Sequence, residues 1–248
     1  MKRLALAVAA TLALPFSVQA NDGQRIAQLE QQVSMLINRV SQLQKNQTVI
    51  AKEIGLLEGE RITTDEAVPL QGAVLEGSES AKIAIMEFTD IQCPYCKKFS
   101  LETYPKLKKD FIDTDKVIFA NRQNPLSIHE QATEASAHLI CANQQGKFAQ
   151  VKEALFTESD LVKQEKWQEI GAIKSLDQDS LSACLDNEKI YQQIALDKKL
   201  AKALGITKTP TFVIGLHNKG KLESWKKLEG APKYEDLREI IDRLIEKN

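Results

Sequence analysis

The chain has 248 residues, of which 43% are hydrophobic and 27% are charged, and its formal net charge is −1. This is enough material for one sizeable core, or for one globular domain with an appendage. The near-zero charge and the absence of a Lys/Arg cluster give no electrostatic footprint for nucleic acid, so we expect no nucleic-acid partner.

The first 20 residues have the pattern of a secretory signal peptide. Lys2 and Arg3 are positively charged, residues 4–16 are apolar, and residues 18–20 form a small-x-small cleavage site. An uncleaved membrane anchor is the alternative, but the apolar run is shorter than the ~20 residues that a membrane span needs. We therefore expect a soluble mature protein that is exported to the periplasm.

Residues 21–58 predict a coiled-coil helix. Apolar residues recur three and four positions apart from Ile26 to Leu57, and only Gln47 interrupts this seam. The alternative is a single amphipathic helix packed on its own domain, which needs a wider apolar stripe. β-branched residues at a with leucine at d favour a parallel dimer, whereas Ile37 and Gln47 suit a trimer. The sequence therefore predicts a homodimer or a homotrimer.

Strands and helices alternate after this segment and predict an α/β domain at residues 70–248. In chain order the predicted elements are a linker at 59–69, a strand near Leu70–Leu75, a strand at Ile83–Phe88, a helix from Cys93, a strand at Val117–Asn121, a helical insertion at about 127–204, a hairpin of Thr211–Leu216 and Leu222–Leu228, and a last helix from near Pro232. The order is a βαβ unit, a helical insertion and a ββα unit.

The motif Cys93-Pro94-Tyr95-Cys96 lies where a predicted strand meets a helix. Cys93 would occupy the helix N-terminus, where unpaired N–H groups and the positive end of the dipole stabilise a thiolate. Cys96, one turn later, could attack a mixed disulfide on Cys93 and release the substrate. We therefore predict Cys93 as the nucleophile and Cys96 as the resolving thiol. The alternatives are that the two cysteines supply half of the ligands of a zinc site, or that they form an inert structural pair.

Two further features would complete this centre. Glu87 lies in an apolar strand six residues before Cys93, where burial disfavours the ionised carboxyl, and it could take the proton from Cys96. An outward-facing Glu87 is the alternative. Thr209-Pro210 precedes an apolar run, and a cis bond there would halt the strand beside the CxxC and free the Thr209 backbone for a substrate chain. Taken alone, Thr-Pro is only a turn signal, since most X–Pro bonds are trans.

The other two cysteines, Cys141 and Cys184, lie on apolar helix faces of the insertion. Export to an oxidising compartment favours disulfides. Cys93 and Cys96 lie together in their motif, so Cys141 and Cys184 are expected to pair with each other. Two free buried thiols are the alternative. We interpret His129, His138 and His217 as ordinary surface or helix residues, and we expect no metal and no cofactor.

Several short motifs of this chain occur together in one family. They are Met86-Glu87-Phe88-Thr89-Asp90 before Cys93-Pro94-Tyr95-Cys96-Lys97-Lys98-Phe99, Cys141-Ala142 before Gln145-Gly146-Lys147-Phe148, Leu155-Phe156, and Leu204-Gly205-Ile206 before Thr209-Pro210-Thr211-Phe212. With them the chain from about Leu70 to Asn248 resembles the DsbA-like branch of the thioredoxin superfamily. The resemblance implies a thioredoxin fold with an inserted helical domain. It also implies Cys93 as nucleophile and Cys96 as resolving thiol, with Glu87 as buried acid and Pro210 as cis-proline.

Two positions depart from the family pattern. Lys208 stands where many relatives have Gly before Thr-Pro, and Tyr95 stands where the strongly oxidising members carry His. We expect Tyr95 to give a potential of about −230 to −160 mV, because it lacks the positive charge that a histidine supplies. The substrate-binding residues predicted beside the cysteines are Thr209, Pro210, Pro94 and Tyr95.

An oligomerising stalk on such a domain resembles the ScsC-like proteins linked to copper tolerance and, in plan, the dimeric isomerases DsbC and DsbG. The leading hypothesis is therefore a periplasmic thiol–disulfide oxidoreductase that acts as an oligomeric isomerase. Its implied partners are unfolded or misfolded exported proteins and a membrane redox partner of DsbB or DsbD type. The alternatives are a DsbA-type oxidase, and a Cu(I)-binding or chaperone protein with Cys93 and Cys96 as soft thiolate ligands.

Overall fold

A computed structural model describes residues 25–26, 28–37, 39–40 and 66–246. The chain divides into two compact units, with the boundary between Leu57 and Glu58. The predicted signal peptide, most of the predicted linker and the second half of the predicted coiled coil lie outside the described residues. Within the described part, no helix is long and apolar enough to cross a membrane.

The described part of the first unit is helical. Residues 25–26, 28–37 and 39–40 form helix α1. In the single chain more than half of each of these seam side chains is exposed: Ile26, Leu29, Val33, Leu36 and Val40. The coiled coil and its pairing with a second copy stay predictions.

The second unit contains one sheet with helices packed on it. Its elements, in chain order, are β1 (Val68–Pro69), β2 (Val74–Glu76), β3 (Ile83–Thr89), α2 (Pro94–Lys98), a π-helical turn (Phe99–Thr103), α3 (Tyr104–Leu107), a second π-helical turn (Lys108–Ile112), β4 (Val117–Gln123), α4 (Ala132–Gln144), α5 (Phe148–Thr157), α6 (Ser159–Lys163), a 3₁₀ turn (Trp167–Glu169), α7 (Gly171–Lys174), α8 (Gln178–Leu185), α9 (Glu188–Ala203), β5 (Thr211–Asn218), β6 (Lys221–Glu229) and α10 (Tyr234–Glu246).

The six strands of residues 66–246 form one mixed sheet in the order β1-β6-β5-β3-β4-β2. β3 pairs parallel with β4 and antiparallel with β5, so it lies at the centre. All seven of its residues are buried. A continuous apolar run is what a strand covered on both faces requires, and it explains why this segment becomes the central strand.

Two apolar clusters hold this unit together. One joins the strands to the helix that follows the CxxC and to α10, and includes Phe99, Phe119 and Leu237. The other fills the helical insertion, and both Cys93 and Cys96 belong to it. The CxxC therefore lies where the core of the insertion meets the end of the central strand.

The prediction of one strand near Leu70–Leu75 is wrong. The segment contains a turn in which the Ala73 N–H donates to the Leu70 carbonyl at 3.0 Å, and Gly72 takes a φ of +85° that favours glycine. The turn separates β1, which pairs with β6, from β2, which pairs with β4. The two short strands therefore extend opposite edges of the sheet.

Candidate active site

The Cys93-Pro94-Tyr95-Cys96 motif lies at the junction of β3 and α2. Cys93 is the N-cap of α2, with an extended backbone, and Pro94 occupies the first turn of the helix, where the N–H that proline lacks would have no partner. The Cys93 carbonyl accepts a hydrogen bond from the Lys97 N–H at 3.0 Å. The Cys93 side chain therefore stands beside the unpaired N–H groups and the positive dipole end of the helix.

A cis peptide bond joins Thr209 and Pro210, at the position where the sequence analysis expected one. β5 begins directly after Pro210 and pairs with β3, so that Thr211 lies opposite Phe88 near the end of the central strand. This pairing brings the Thr209 carbonyl oxygen to 3.3 Å from Cys93 Sγ, and the protonated thiol donates a hydrogen bond to it. The segment before the cis-proline thus forms a wall of the site.

The two thiols of the motif differ in proton affinity, although both are free and buried. A hydrogen bond from the Cys96 thiol lowers the pKa of Cys93 to about 5; burial opposes this, and hydrogen bonds from the N–H groups of Cys96 and Tyr95 support it. Burial, together with the negative charges of Cys93 and Glu87, raises the pKa of Cys96 well above its ordinary value. At neutral pH Cys93 is therefore a thiolate and Cys96 a thiol.

Glu87 lies completely buried in the middle of β3 and does not face outward. Its Oε2 accepts hydrogen bonds from Asn121 Nδ2 at 2.8 Å and from Lys152 Nζ at 2.9 Å. Asn121 is the neighbour of Glu87 across the strand pair with β4, whereas Lys152 comes from α5 in the insertion. Glu87 Oε1 has no hydrogen-bond partner among the described residues.

Lys152 is a residue of this site that the sequence analysis missed. It is buried, and besides its ion pair with Glu87 its Nζ lies 5.0 Å from the centre of the Tyr104 ring. A signal was present, because Phe148 and Leu155 stand four and three residues away and place Lys152 on the apolar face of α5. Lysines are almost never buried without a partner, so this position pointed to a hidden carboxylate.

Asp90 is a second residue that the sequence analysis missed. Its Oδ1 accepts from the Gln92 N–H, and its Oδ2 accepts from the Leu126 N–H and contacts His129 Nδ1, each at 2.8 Å. The Asp90 N–H donates to Cys96 Sγ at 3.4 Å. His129 thus lies in a turn beside the active-site loop, with 20% of its side chain exposed.

The structure brings most of the predicted site residues together. Cys93 Sγ faces the Thr209 carbonyl directly before the cis Pro210, and the charge of Glu87, two residues before the end of β3, acts on Cys96. Pro94 and Tyr95 lie on the surface of the same segment, and 63% of the Tyr95 side chain is exposed.

Cys141 and Cys184 form a disulfide that joins α4 to α8 within the insertion, with Cα atoms 5.8 Å apart. His138 is buried in α4 and stacks on Trp167 with ring centres 4.4 Å apart, and His217 lies in β5 and binds the Ala81 carbonyl. Within the described part of the chain, no three His, Cys, Asp or Glu side chains form a group of metal ligands.

Comparisons with known sequences agree with this geometry. The thioredoxin family model matches residues 70–243. The chain is 25% identical over 184 residues to disulfide bond formation protein D of Bacillus subtilis, covering 70% of this chain and 78% of that protein. It spans about half the length of the curated rickettsial relatives that it also matches.

Comparisons with solved structures give the same class. Alpha-DsbA1 of Wolbachia pipientis matches with a TM-score of 0.62 and 30% identity, covering 73% of this chain and 94% of that one. The catalytic domain of Proteus mirabilis ScsC matches with a TM-score of 0.51, covering 79% of this chain and 96% of that domain. At 22% identity the second likeness concerns the fold alone.

The fold and the site together define a thiol–disulfide oxidoreductase built on a thioredoxin fold with a helical insertion. The chain belongs to the thioredoxin family and, within it, to the DsbA-like branch.

Proposed function

We propose that this protein is a periplasmic disulfide isomerase that acts as an oligomer through Cys93 and Cys96. The catalytic part of this proposal is supported by the difference in pKa between the two thiols. Cys93 is ionised beside the cis-proline, whereas Cys96 is buried and protonated. Isomerisation starts with a thiolate that attacks a substrate disulfide, and Cys93 supplies that thiolate at neutral pH.

The exchange runs through a mixed disulfide. The Cys93 thiolate attacks one sulfur of a substrate disulfide, which forms a Cys93–substrate disulfide and releases the other substrate sulfur as a thiolate. That thiolate can attack another disulfide of the substrate, and the substrate thiolate released there displaces Cys93 from the mixed disulfide, which changes the pairing without net oxidation or reduction. If the rearrangement stalls, Cys96 attacks the Cys93 sulfur, which leaves a Cys93–Cys96 disulfide and a reduced substrate.

The attack of Cys96 on the Cys93 sulfur requires Cys96 to lose its proton. In our proposal Glu87 Oε1 takes it, because Lys152 and Asn121 hold only Oε2 and leave Oε1 without a protein partner among the described residues. The Asp90 N–H, which already donates to Cys96 Sγ, stabilises the charge that develops on that sulfur.

The oligomeric part of the proposal rests on α1. Its seam residues are exposed in the single chain, and self-association into a coiled coil is the simplest way to bury them. Several catalytic domains on one stalk could enclose a misfolded chain, which a single domain cannot do. Export through residues 1–20 would place this assembly in the periplasm, and a membrane protein of DsbB or DsbD type would maintain its redox state.

A DsbA-type oxidase is the second candidate, and the acidity of Cys93 is the observation that favours it. A low thiol pKa stabilises the reduced form and makes the disulfide a stronger oxidant. The Cys93 pKa of about 5 lies between the values of about 7 for thioredoxin and about 3.5 for DsbA.

Paired assays on ribonuclease distinguish the isomerase from the oxidase. We expect the mature protein to reactivate scrambled ribonuclease in a glutathione buffer faster than it oxidises reduced ribonuclease, and the Cys93→Ser variant to do neither. Deletion of residues 21–57 should abolish most of the isomerisation and spare exchange with small disulfides, with light scattering showing a monomer. Efficient oxidation without isomerisation would favour the oxidase. A full-length protein that is monomeric would contradict the stalk.

A further inference from the structure

A cleft of about 520 Å³ lies between α10 and the β5–β6 part of the sheet. Two of the residues that line it from β5, Ile214 and Leu216, pair with Ile85 and Ile83 in the first half of β3. Cys93 follows the opposite end of that strand. The cleft is therefore separate from the redox centre and takes no part in the exchange chemistry described above.

The walls of the cleft are mostly aliphatic. The side chains that form them are Ile214, Leu216, Leu228, Ile240 and Leu244. Leu228, Ile240 and Leu244 are only partly buried, because they pack at the margin of the core cluster and not inside it. The volume falls within the range of about 300–1,000 Å³ that is typical of small-molecule sites, and such sites are largely apolar with a few polar groups.

The charged groups of the cleft are cations. Lys226 lies directly opposite Ile214 in the β5–β6 ladder, and residues opposite each other project from the same face of a sheet. Its ammonium has no ion-pair partner among the described residues. Arg243 of α10 is the second cation. Its guanidinium pairs with Glu239 at 3.2 Å, but both side chains are more than half exposed, so this ion pair is weak.

A β-bulge adds a hydroxyl group to the lining. Ser224 and Trp225 of β6 stand opposite the single residue Gly215 of β5, where a Cβ would lie 2.5 Å from a backbone oxygen of β6. The extra residue breaks the alternation of the strand, and Ser224 lines the cleft. Lys227 also lines it, although its ammonium binds the Gly205 carbonyl at 3.1 Å. None of the described residues that line the cleft is Asp or Glu.

We infer that this cleft binds a single-chain anionic amphiphile, a long-chain carboxylate, with the carboxylate at Lys226 and the acyl chain along the aliphatic wall. This ligand class matches both halves of the lining. A small polar anion would leave the apolar wall uncovered, and a neutral lipid would leave Lys226 without a counter-ion. The inference goes beyond the exchange function and does not depend on it.

The surroundings of the cleft suit an extended chain. Leu244 also borders a second depression, of about 390 Å³, which Ile83 and Ile245 line as well. The apolar surface therefore continues past the last turn of α10. A flexible acyl chain can follow such a surface, and each CH₂ group that it buries contributes to the affinity.

The test is isothermal titration calorimetry on the mature protein, with dodecanoate below its critical micelle concentration. We expect one dodecanoate to bind per chain. Octanoate should bind at least about 10-fold more weakly, because its shorter chain buries fewer CH₂ groups. Dodecyltrimethylammonium has the same tail and the opposite charge, and it should also bind at least about 10-fold more weakly, because it cannot pair with a lysine.

A charge reversal at the proposed contact isolates the cleft from other apolar surfaces of the chain. Lys226→Glu should weaken dodecanoate binding at least about 10-fold and strengthen the binding of dodecyltrimethylammonium. Lys221→Glu is the matched control, because Lys221 is an exposed lysine of the same strand that does not line the cleft. It should bind dodecanoate as the wild type does. Both variants should exchange with glutathione at the wild-type rate, which verifies that they are folded.

Three results would overturn the inference. Equal dodecanoate binding by the two variants would place the ligand elsewhere on the chain. Equal affinity of the wild type for the two dodecyl compounds would show apolar contact without recognition of charge. Absence of saturable dodecanoate binding, with or without binding to vesicles of phosphatidylglycerol, would exclude a carboxylate site, and binding to the vesicles would identify a membrane surface instead. None of these results bears on exchange by Cys93.

Discussion

The two cysteine pairs of this protein have the same chemistry and nearly the same burial. The exposed fractions are 5% and 0% for Cys93 and Cys96, and 1% and 8% for Cys141 and Cys184. The first pair is reduced and the second forms a disulfide. Burial therefore does not distinguish a redox centre from a structural bridge.

The polar groups around each pair make the difference. Cys93 stands before the first turn of a helix, and hydrogen bonds from the N–H groups of Tyr95 and Cys96 stabilise its thiolate. Cys141 lies inside α4, where the peptide N–H groups are already used within the helix, among apolar neighbours such as Leu181 and Ile190. A thiolate needs hydrogen-bond donors, and of the two pairs only Cys93–Cys96 has them.

The largest expected effect follows from the inequality inside the first pair. Cys93→Ser should abolish exchange with peptide disulfides, because the remaining thiol is buried and protonated. Cys96→Ser should instead trap mixed disulfides between Cys93 and substrates, since the resolving sulfur is gone. Non-reducing gels and mass spectrometry would show the trapped species. Trapping by Cys93→Ser in place of Cys96→Ser would reverse the assigned roles.

Lys152 sharpens the comparison, because it pairs a buried positive charge with Glu87 in the central strand. Lys152→Met leaves Glu87 buried without a cation, and we expect the free energy of unfolding to fall by about 3–5 kcal/mol. The double variant Glu87→Gln/Lys152→Met should recover most of this loss, and urea unfolding would measure both. A double variant no more stable than Lys152→Met would contradict the ion pair as the cause.

Removal of the structural pair, Cys141 and Cys184, should lower stability without changing activity. The double variant Cys141→Ser/Cys184→Ser opens a loop whose ends are 43 residues apart, so we expect it to lose about 3–4 kcal/mol of stability. The exchange rate per folded molecule should not change. Denaturant unfolding and a peptide-disulfide assay on the same sample would test both statements. A selective loss of activity at full stability would break the distinction between the two pairs.

A smaller effect concerns pH. The folded pKa of Cys93, about 5, lies below its ordinary value of 9.0. Ionisation of Cys93 therefore stabilises the reduced protein in full above pH 9, and this stabilisation is lost as the pH falls through about 5. The rate of Cys93 alkylation by iodoacetamide should reach half its maximum near pH 5, and Cys96 should stay unreactive. A midpoint near pH 8 would contradict the environment described for Cys93.

The sequence predicted the parts of this site that depend on short-range order. The strand at Ile83–Phe88 was predicted within one residue, since its apolar run is continuous, and the place of Cys93 followed from the strand–helix junction. Pro210 could be placed as well, because a proline before an apolar run interrupts a strand.

Residues whose partners are distant in the chain could not be predicted in this way. Lys152 meets Glu87 across 65 positions, and His129 meets Asp90 across 39. These contacts depend on how the insertion and the turn after β4 dock onto the end of β3, which no local pattern records.

A redox titration of all four cysteines tests the central claim most directly. The protein is equilibrated in glutathione buffers of stepped potential, quenched, alkylated, and read by peptide mass spectrometry. We expect the Cys93–Cys96 pair to titrate at about −230 to −160 mV, whereas Cys141–Cys184 stays oxidised down to about −300 mV. Two pairs that titrate together, or a Cys141–Cys184 pair that is reduced first, would contradict the claim that local polar groups separate the redox centre from the structural bridge.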